Sequence, residues 1–248
     1  MIKVVATASL AVVKTIYEIA MSGILLLTFD DCDIKGWTAA LPLFYDFRAR
    51  VTFSISGEIT PEVAGYMNAA QVVGHTVGLH TLHHANAPEY IEEKGAEAYF
   101  QNEVKPQLDA CAKAGVVCRE FAFPNNKYND AALALLSPYF KRFRAGNGVP
   151  KTEHLADFDC GFIPRAKVAS TVVFGGRGVG EYYESRLDDI FDALRRAAAN
   201  DEAVTFFSHG IAKGAKGVAM PLEILVPMLE EAKRLDMSIL GLDDLDEI

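Results

Sequence analysis

Short apolar runs, each followed by a stretch of helical periodicity, recur along the 248 residues and constrain the fold more than any other feature of the chain. The runs predict strands at Ile24–Phe29, Val51–Ile55, Thr76–His80, Glu120–Phe123, Lys141–Ala145, Val168–Phe174, Ala203–Ser208 and Ser238–Leu242. Helical patterns fall between them, at Pro61–Val73, Tyr90–Ala114, Asp130–Leu136, Ser185–Ala199 and Leu222–Leu235. Thr60 supplies a cap to the first of these helices, and Pro61 occupies its first turn, where a missing N–H costs nothing. Strands apolar on both faces, alternating with helices, belong to a parallel sheet covered by helices. Seven or eight such units in this length predict an α/β fold, a (β/α)7-8 barrel rather than an open sheet. The irregular stretches 84–88 and 146–164 predict that the barrel is distorted or incomplete.

No repeat, low-complexity tract or Pro/Ser-rich linker divides the chain, so residues 23–248 read as one domain. Residues 1–22 read as an amphipathic opening helix or, alternatively, a residual export signal, and the compartment stays open. The net charge is −9 with Lys and Arg scattered, which gives nucleic-acid binding no electrostatic support. No apolar run is long enough for a transmembrane anchor. Cys32, Cys111, Cys118 and Cys160 form no CxxC pair, which excludes zinc-finger and thioredoxin-type readings.

In a barrel of this kind, chemistry gathers at the C-terminal ends of the strands. Asp30 and Asp31 stand at such an end, in "TFDDC". Neighbouring side chains of a strand point to opposite faces, so two adjacent carboxylates converge only where the strand stops and turns. The alternative is a solvated turn. "GHTVGLHTLHH", Gly74–His84, holds four of the six histidines. His80 and His84 share a face if a helical turn follows, and His80 with His83 is the alternative pair. Two imidazoles and a carboxylate from Asp31 or Asp30 would suit zinc, or Fe, Co or Ni, with positions left open. His209 ends another strand in "FFSHG", and Pro124-Asn125 shapes a fourth rim loop in which the Asn125 N–H could face a substrate oxygen. Adjacent carboxylates do not flank a glycosidic bond at the separation that glycosidases use. "GGRGVG", Gly175–Gly180, lacks the spacing of a phosphate loop and reads as a flexible loop.

"TFDDC", "HTLHH" (His80–His84), "FAFPNN" (Phe121–Asn126) and "SHG" (Ser208–Gly210), in this order, resemble the polysaccharide deacetylases, carbohydrate esterase family four with the NodB-homology domain. "RVTFSISGEIT" and the late "ILGLDDL" resemble that family's second and last strands, so the likeness spans roughly Gly23 to Leu245. It implies a distorted barrel and a metal-dependent hydrolase that removes acetyl groups from an N-acetylated polysaccharide or oligosaccharide. By the same resemblance Asp30 is the catalytic base and Asp31, His80 and His84 hold one divalent ion, zinc first among the candidates. His209 is the general acid, and Asn125, after Pro124, offers its N–H to the oxyanion. Alternatives are an O-acetyl or small-amide hydrolase on the same barrel and a carbohydrate-binding relative without turnover. Four departures from the family pattern stand out. Cys32 replaces a glycine, Thr76 and Leu79 replace a glutamate and an asparagine, Ala122 replaces an arginine, and Asn125-Asn126 replace a tyrosine and a glycine. Ala122 leaves Asp30 without its usual charged partner unless Arg142, Arg144 or Arg165 substitutes. Oligomeric state is not legible in the chain.

Overall fold

The structure is a computed structural model and describes residues 23–248; the expected N-terminal helix or export signal lies outside the described residues. Seven parallel strands close into a barrel. They are β1 (Ile24–Asp31), β2 (Thr52–Ile55), β3 (Thr76–Leu79), β4 (Glu120–Ala122), β5 (Arg142–Gly146), β7 (Val173–Gly178) and β8 (Glu202–Ser208), with β8 pairing back onto β1 along Ile24–Phe29. Two short strands complete the wall. The antiparallel β6 (Phe162–Pro164) borders the start of β8, and β9 (Ser238–Leu240) pairs with the first half of β1, whose second half pairs with β2. β1 thus divides one edge between two neighbours.

Alternation along the strands sorts the core into two regions. Leu25, Leu27 and Phe29 of β1 point outward and join Phe53, Val77, Phe121 and Phe143 in the main apolar cluster. Trp37 and Phe44 of α1 (Ile34–Asp46) pack there too, with the Trp37 and Phe53 rings 5.0 Å apart. The opposite parity is apolar only at the floor, where Ile24 and Leu26 meet Phe174, Leu242 and Leu245. Further up, Thr28, Asp30, Ser54, His80 and Arg144 are buried polar groups. Burying such groups is costly unless they are paired, so the polar parity marks the end of the barrel where function sits.

Several expectations need correction. The predicted helix 90–114 is broken into α2 (Ala87–Lys94), α3 (Ala96–Tyr99), a π-helical turn at Phe100–Val104 and α4 (Lys105–Ala114). Gly95, at φ 89°, ends α2, and Pro106 in the first turn of α4 has no N–H to continue the regular ladder. The predicted strand 168–174 starts too early. Residues Arg165–Val168 form the short helix α5, and the strand runs Val173–Gly178, so most of the supposed glycine loop is barrel wall. The helix α1, interrupted in sequence by Gly36 and Pro42, escaped the periodicity reading; the Asp33 carboxylate caps it by accepting from the Gly36 N–H at 3.1 Å. Among the described residues no helix is long and apolar enough to cross a membrane.

Candidate active site

At the C-terminal mouth, a cavity of about 460 Å3 is lined by Asp30, Asp31, His80, His84, Asn125 and His209, with Arg144 and Tyr183 beside them. A larger cavity, about 960 Å3, opens at the opposite end among Leu41, Tyr45, Arg48, Arg50 and His75. It brings no set of ligating or nucleophilic groups together. His75 there accepts from the Val51 N–H at 3.2 Å, and burial, helped by Arg50, lowers its pKa to about 4, so it is a neutral structural histidine.

Asp30 shares the inward parity of Ile24, Leu26 and Thr28 and is almost fully buried. Asp31 has φ 76°, a left-handed conformation that ends the extended run and turns its half-exposed carboxylate over the mouth. That reversal is how two adjacent carboxylates reach one site. The histidine loop uses the same device. No helical turn follows β3; Thr81 (φ 66°) and His84 (φ 55°) fold the chain back instead. A β-branched residue in this region is strained, and the loop is held by its surroundings. Thr81 Oγ1 accepts from the Ala85 N–H, and the Leu82 N–H donates to the Glu103 carbonyl. Glu103 lies in the π-helical turn, and its carboxylate accepts from the His83 N–H at 2.8 Å and meets His83 Nδ1 at 3.0 Å. His83 is thereby occupied, and His80 with His84 is the pair that faces the site.

Asp31 Oδ1 lies 4.0 Å from His80 Nε2 and 3.9 Å from His84 Nε2. Their ligand atoms all fall within 4.8 Å of one another, the arrangement of a three-residue metal centre. These separations exceed a hydrogen bond and approach those of two ligands about 2.1 Å from a shared ion. The donor chemistry fits. His80 Nδ1–H donates to the Ala122 carbonyl at 2.8 Å, which leaves Nε2 as the free lone pair. Burial above all lowers the His80 pKa to about 4, against the opposing pull of Asp30, so the ring is neutral and able to ligate.

Burial works to raise the Asp30 carboxyl, but Arg144 first, then His80 and His209, more than offset it and hold it below the ordinary carboxylate range. Arg144 Nη2 donates to Asp30 Oδ2, and Nη1 donates to the side-chain oxygen of Asn126. The guanidinium also lies over the Phe207 ring, 4.6 Å from its centre. Of the three arginines considered for this role, Arg144 takes it; Arg142 turns to Asp246 and Arg165 to Asp201. Ala122 and Arg144 are register partners on β4 and β5, so the positive charge has moved by one strand. Asp30 Oδ1, in contrast, is buried with no hydrogen-bond partner among the described residues.

His209 Nε2 lies 3.8 Å from Asp31 Oδ2, and its Nδ1 donates to the Val218 carbonyl at 3.2 Å. The Trp37 indole N–H holds the His209 carbonyl at 2.9 Å. Tyr183 runs nearly parallel to the His209 ring, at 9° and 6.3 Å between centres. Pro124 is buried, and Asn125 and Asn126 both adopt positive φ, 55° and 60°. Asn126 and Lys127 donate the N–H groups that close this turn, and Asn125 lines the cavity. Sequence reasoning passed over Tyr182, Tyr183, Phe207 and Glu103. The "EYY" that follows the glycine-rich stretch was the available signal for the first two.

A profile of the polysaccharide deacetylase family matches residues 20–139, a segment that contains the DD pair and the histidine loop. Over that segment the chain carries the signature of the polysaccharide deacetylase family. Comparison with curated protein sequences returns no match. Solved structures of this family share the fold at low identity. The chitin deacetylase of the fungal pathogen Colletotrichum lindemuthianum aligns with TM-score 0.62 and 13% identity, over 91% of this chain and 88% of that one. The Xyl-CE4 domain of a multidomain xylanase from the hindgut metagenome of Trinervitermes trinervoides gives TM-score 0.59 and 15% identity, over 91% and 90%. A pseudoenzyme of the same family from Bacillus anthracis gives TM-score 0.59 and 12% identity, over 90% and 65%. The expected (β/α) barrel of the polysaccharide deacetylase type is thus the observed fold, closed by seven strands.

Proposed function

We propose that this deacetylase removes acetyl groups from an N-acetylated polysaccharide or oligosaccharide, with one divalent ion, zinc first among candidates, held by Asp31, His80 and His84. The observation that carries this reading is the state of Asp30. One carboxylate oxygen is committed to Arg144, and the other is buried beside the ligand triad with no hydrogen-bond partner among the described residues. A carboxylate kept ionised with one oxygen free is poised to take a proton. When bound, a divalent ion of this kind lowers the pKa of a coordinated water toward about 7 and polarises a carbonyl.

The chain's own residues supply the rest. Asp30 Oδ1 takes the proton of the attacking water while Arg144 fixes its orientation. The Asn125 N–H, presented by a left-handed turn behind Pro124, donates to the developing oxyanion; one such donor is worth roughly 3–4 kcal/mol. His209, its Nδ1–H directed at Val218, keeps Nε2 toward the site and delivers a proton to the departing amine. Tyr182, largely exposed beside Tyr183, offers the mouth an aromatic face.

The test is acid release from a panel of acetylated chitooligosaccharides, peptidoglycan fragments and acetylated xylan, measured on zinc- and cobalt-loaded protein. Acetate release from amides supports the reading, and release from esters alone makes the chain an O-acetyl esterase. Stoichiometric metal with no release from any substrate would make it a binding relative and overturn the proposal.

A further inference from the structure

The glycine-rich stretch of β7 does not cradle phosphate, but it makes room. A Cβ at Gly178 would lie 2.3 Å from the Tyr183 ring, and one at Gly176 would lie 3.0 Å from the Phe207 ring and 3.4 Å from Arg144 Cδ. Side chains at either position would crowd these groups out of their present places. Behind Tyr183 and Phe207 the two glycines wall a second cavity of about 170 Å3, which shares those rings and Asn126 with the first. A water molecule takes roughly 30 Å3 of liquid volume, so the space suits several non-hydrogen atoms.

Asn147 lines this second cavity. Its backbone N–H is tied to the Gly176 carbonyl, and its side-chain Oδ1 accepts from the Val149 N–H at 3.0 Å. That acceptor role fixes the amide orientation, because a flip would set two donors against each other. Nδ2 is left buried with no partner among the described residues. The adjoining loop is rigidly placed. Arg177 donates to the carbonyls of Val149, Pro150, Lys151 and Glu153, at 2.8 to 3.2 Å. The cations nearby are already matched, Lys151 by Glu184 and Arg177 by those carbonyls and Asp189, 3.7 Å away. The cavity therefore asks for a neutral oxygen acceptor and not an anion.

We propose that this glycine-walled cavity is a substrate subsite in which Asn147 Nδ2–H donates to an uncharged hydroxyl or carbonyl oxygen next to the scissile acyl group. The proposal rests on the hydrolase reading of the adjoining site. The oxygen comes from one of two sources, a hydroxylated acyl group larger than acetyl or the neighbouring sugar ring.

The test compares the parent with Asn147→Asp, which keeps the acceptor for Val149 and removes the donor. Four substrates are used: N-acetylglucosamine, its N-glycolyl analogue, the N-acetylglucosamine tetramer and 4-nitrophenyl acetate. The parent should favour the glycolyl sugar or the tetramer over N-acetylglucosamine in kcat/KM by roughly tenfold or more, since a site built to donate a hydrogen bond rejects the analogue lacking its acceptor. The substrate that is favoured identifies the source. In Asn147→Asp that ratio should fall roughly tenfold. An unchanged ratio, or an equal loss on all four substrates, overturns the subsite. If the parent hydrolyses none of them, the functional reading fails, and calorimetric titration with the glycolyl sugar and the tetramer decides the subsite separately. Binding at least tenfold tighter in the parent than in Asn147→Asp upholds it, and equal or no binding overturns it.

Discussion

Arg144 reaches Asp30 through the barrel interior from β5, and both side chains are almost completely shielded from solvent. A buried ion pair is seldom a net source of stability, because desolvating two charges offsets most of their attraction. Here it positions a base. The pair keeps Asp30 ionised and commits one oxygen to Arg144, while the other has no hydrogen-bond partner among the described residues.

Removing the cation alone should therefore be doubly damaging. Arg144→Met leaves a buried carboxylate unpaired, and the unfolding free energy should drop by roughly 3–5 kcal/mol. Deacetylation should fall by roughly 10²-fold or more as Asp30 takes up a proton. Asp30→Asn in the same background should restore most of the stability and none of the activity. Chemical denaturation of the parent and the two variants checks this. A double variant no more stable than Arg144→Met would show that the loss came from packing rather than from the stranded charge.

The ligand assignment separates two neighbouring histidines. His84 Nε2 faces Asp31, whereas His83 is engaged by Glu103. His84→Ala should abolish stoichiometric zinc, and His83→Ala should retain it. Metal analysis of both purified variants after exhaustive dialysis decides the matter. Zinc retained by His84→Ala and lost by His83→Ala would reverse the assignment.

The barrel and its functional end were legible because burial on both strand faces writes a continuous apolar signature, and because His80, Asp31 and His209 follow such runs directly. The details that were not legible share a cause: they depend on partners distant in sequence. Nothing local distinguishes Arg142 from Arg144; the register of β4 against β5 does, since it sets Glu120 opposite the first and Ala122 opposite the second. The approach of His84 to His80 was expected from a helical turn, yet it comes from two left-handed residues, one of them the β-branched Thr81, held through Glu103 and Ala85. The glycines of β7 read as a loop because their role is to leave space for Tyr183 and Phe207, and no periodicity records a space.

Glu120 provides a pH test of the barrel floor. Burial raises its carboxyl, Asp243 adds to the effect against Arg142, and its pKa reaches about 9. An unfolded glutamate titrates near 4.3. Between these values the folded chain binds the extra proton, so this group's contribution is fully present below about pH 4.3 and is lost as pH rises toward 9. The slope from this one group is at most about 1.4 kcal/mol per pH unit. Glu120→Gln keeps the neutral shape and removes the titration. Urea unfolding at pH 6 and pH 8 should show the parent losing more stability across that interval than the variant. Identical losses would mean that Arg142 keeps Glu120 ionised in the folded state.

His209 is the residue whose role the choice of leaving group can expose. Its Nδ1 hydrogen bond to Val218 is backbone-mediated, and Nε2 is directed at the mouth beside Asp31. An amine departs poorly unless protonated, whereas 4-nitrophenolate leaves without help. His209→Ala should slow amide deacetylation by roughly 10²-fold or more, the usual scale of general-acid catalysis. Hydrolysis of 4-nitrophenyl acetate should decline far less. Both rates come from one preparation, so loss of metal or of fold would depress them together, and metal analysis of that preparation separates those two causes. A variant that retains its metal yet loses amide and ester hydrolysis in equal measure would remove the acid role. It would leave His209 as a rim residue whose work is to anchor the Val218 loop.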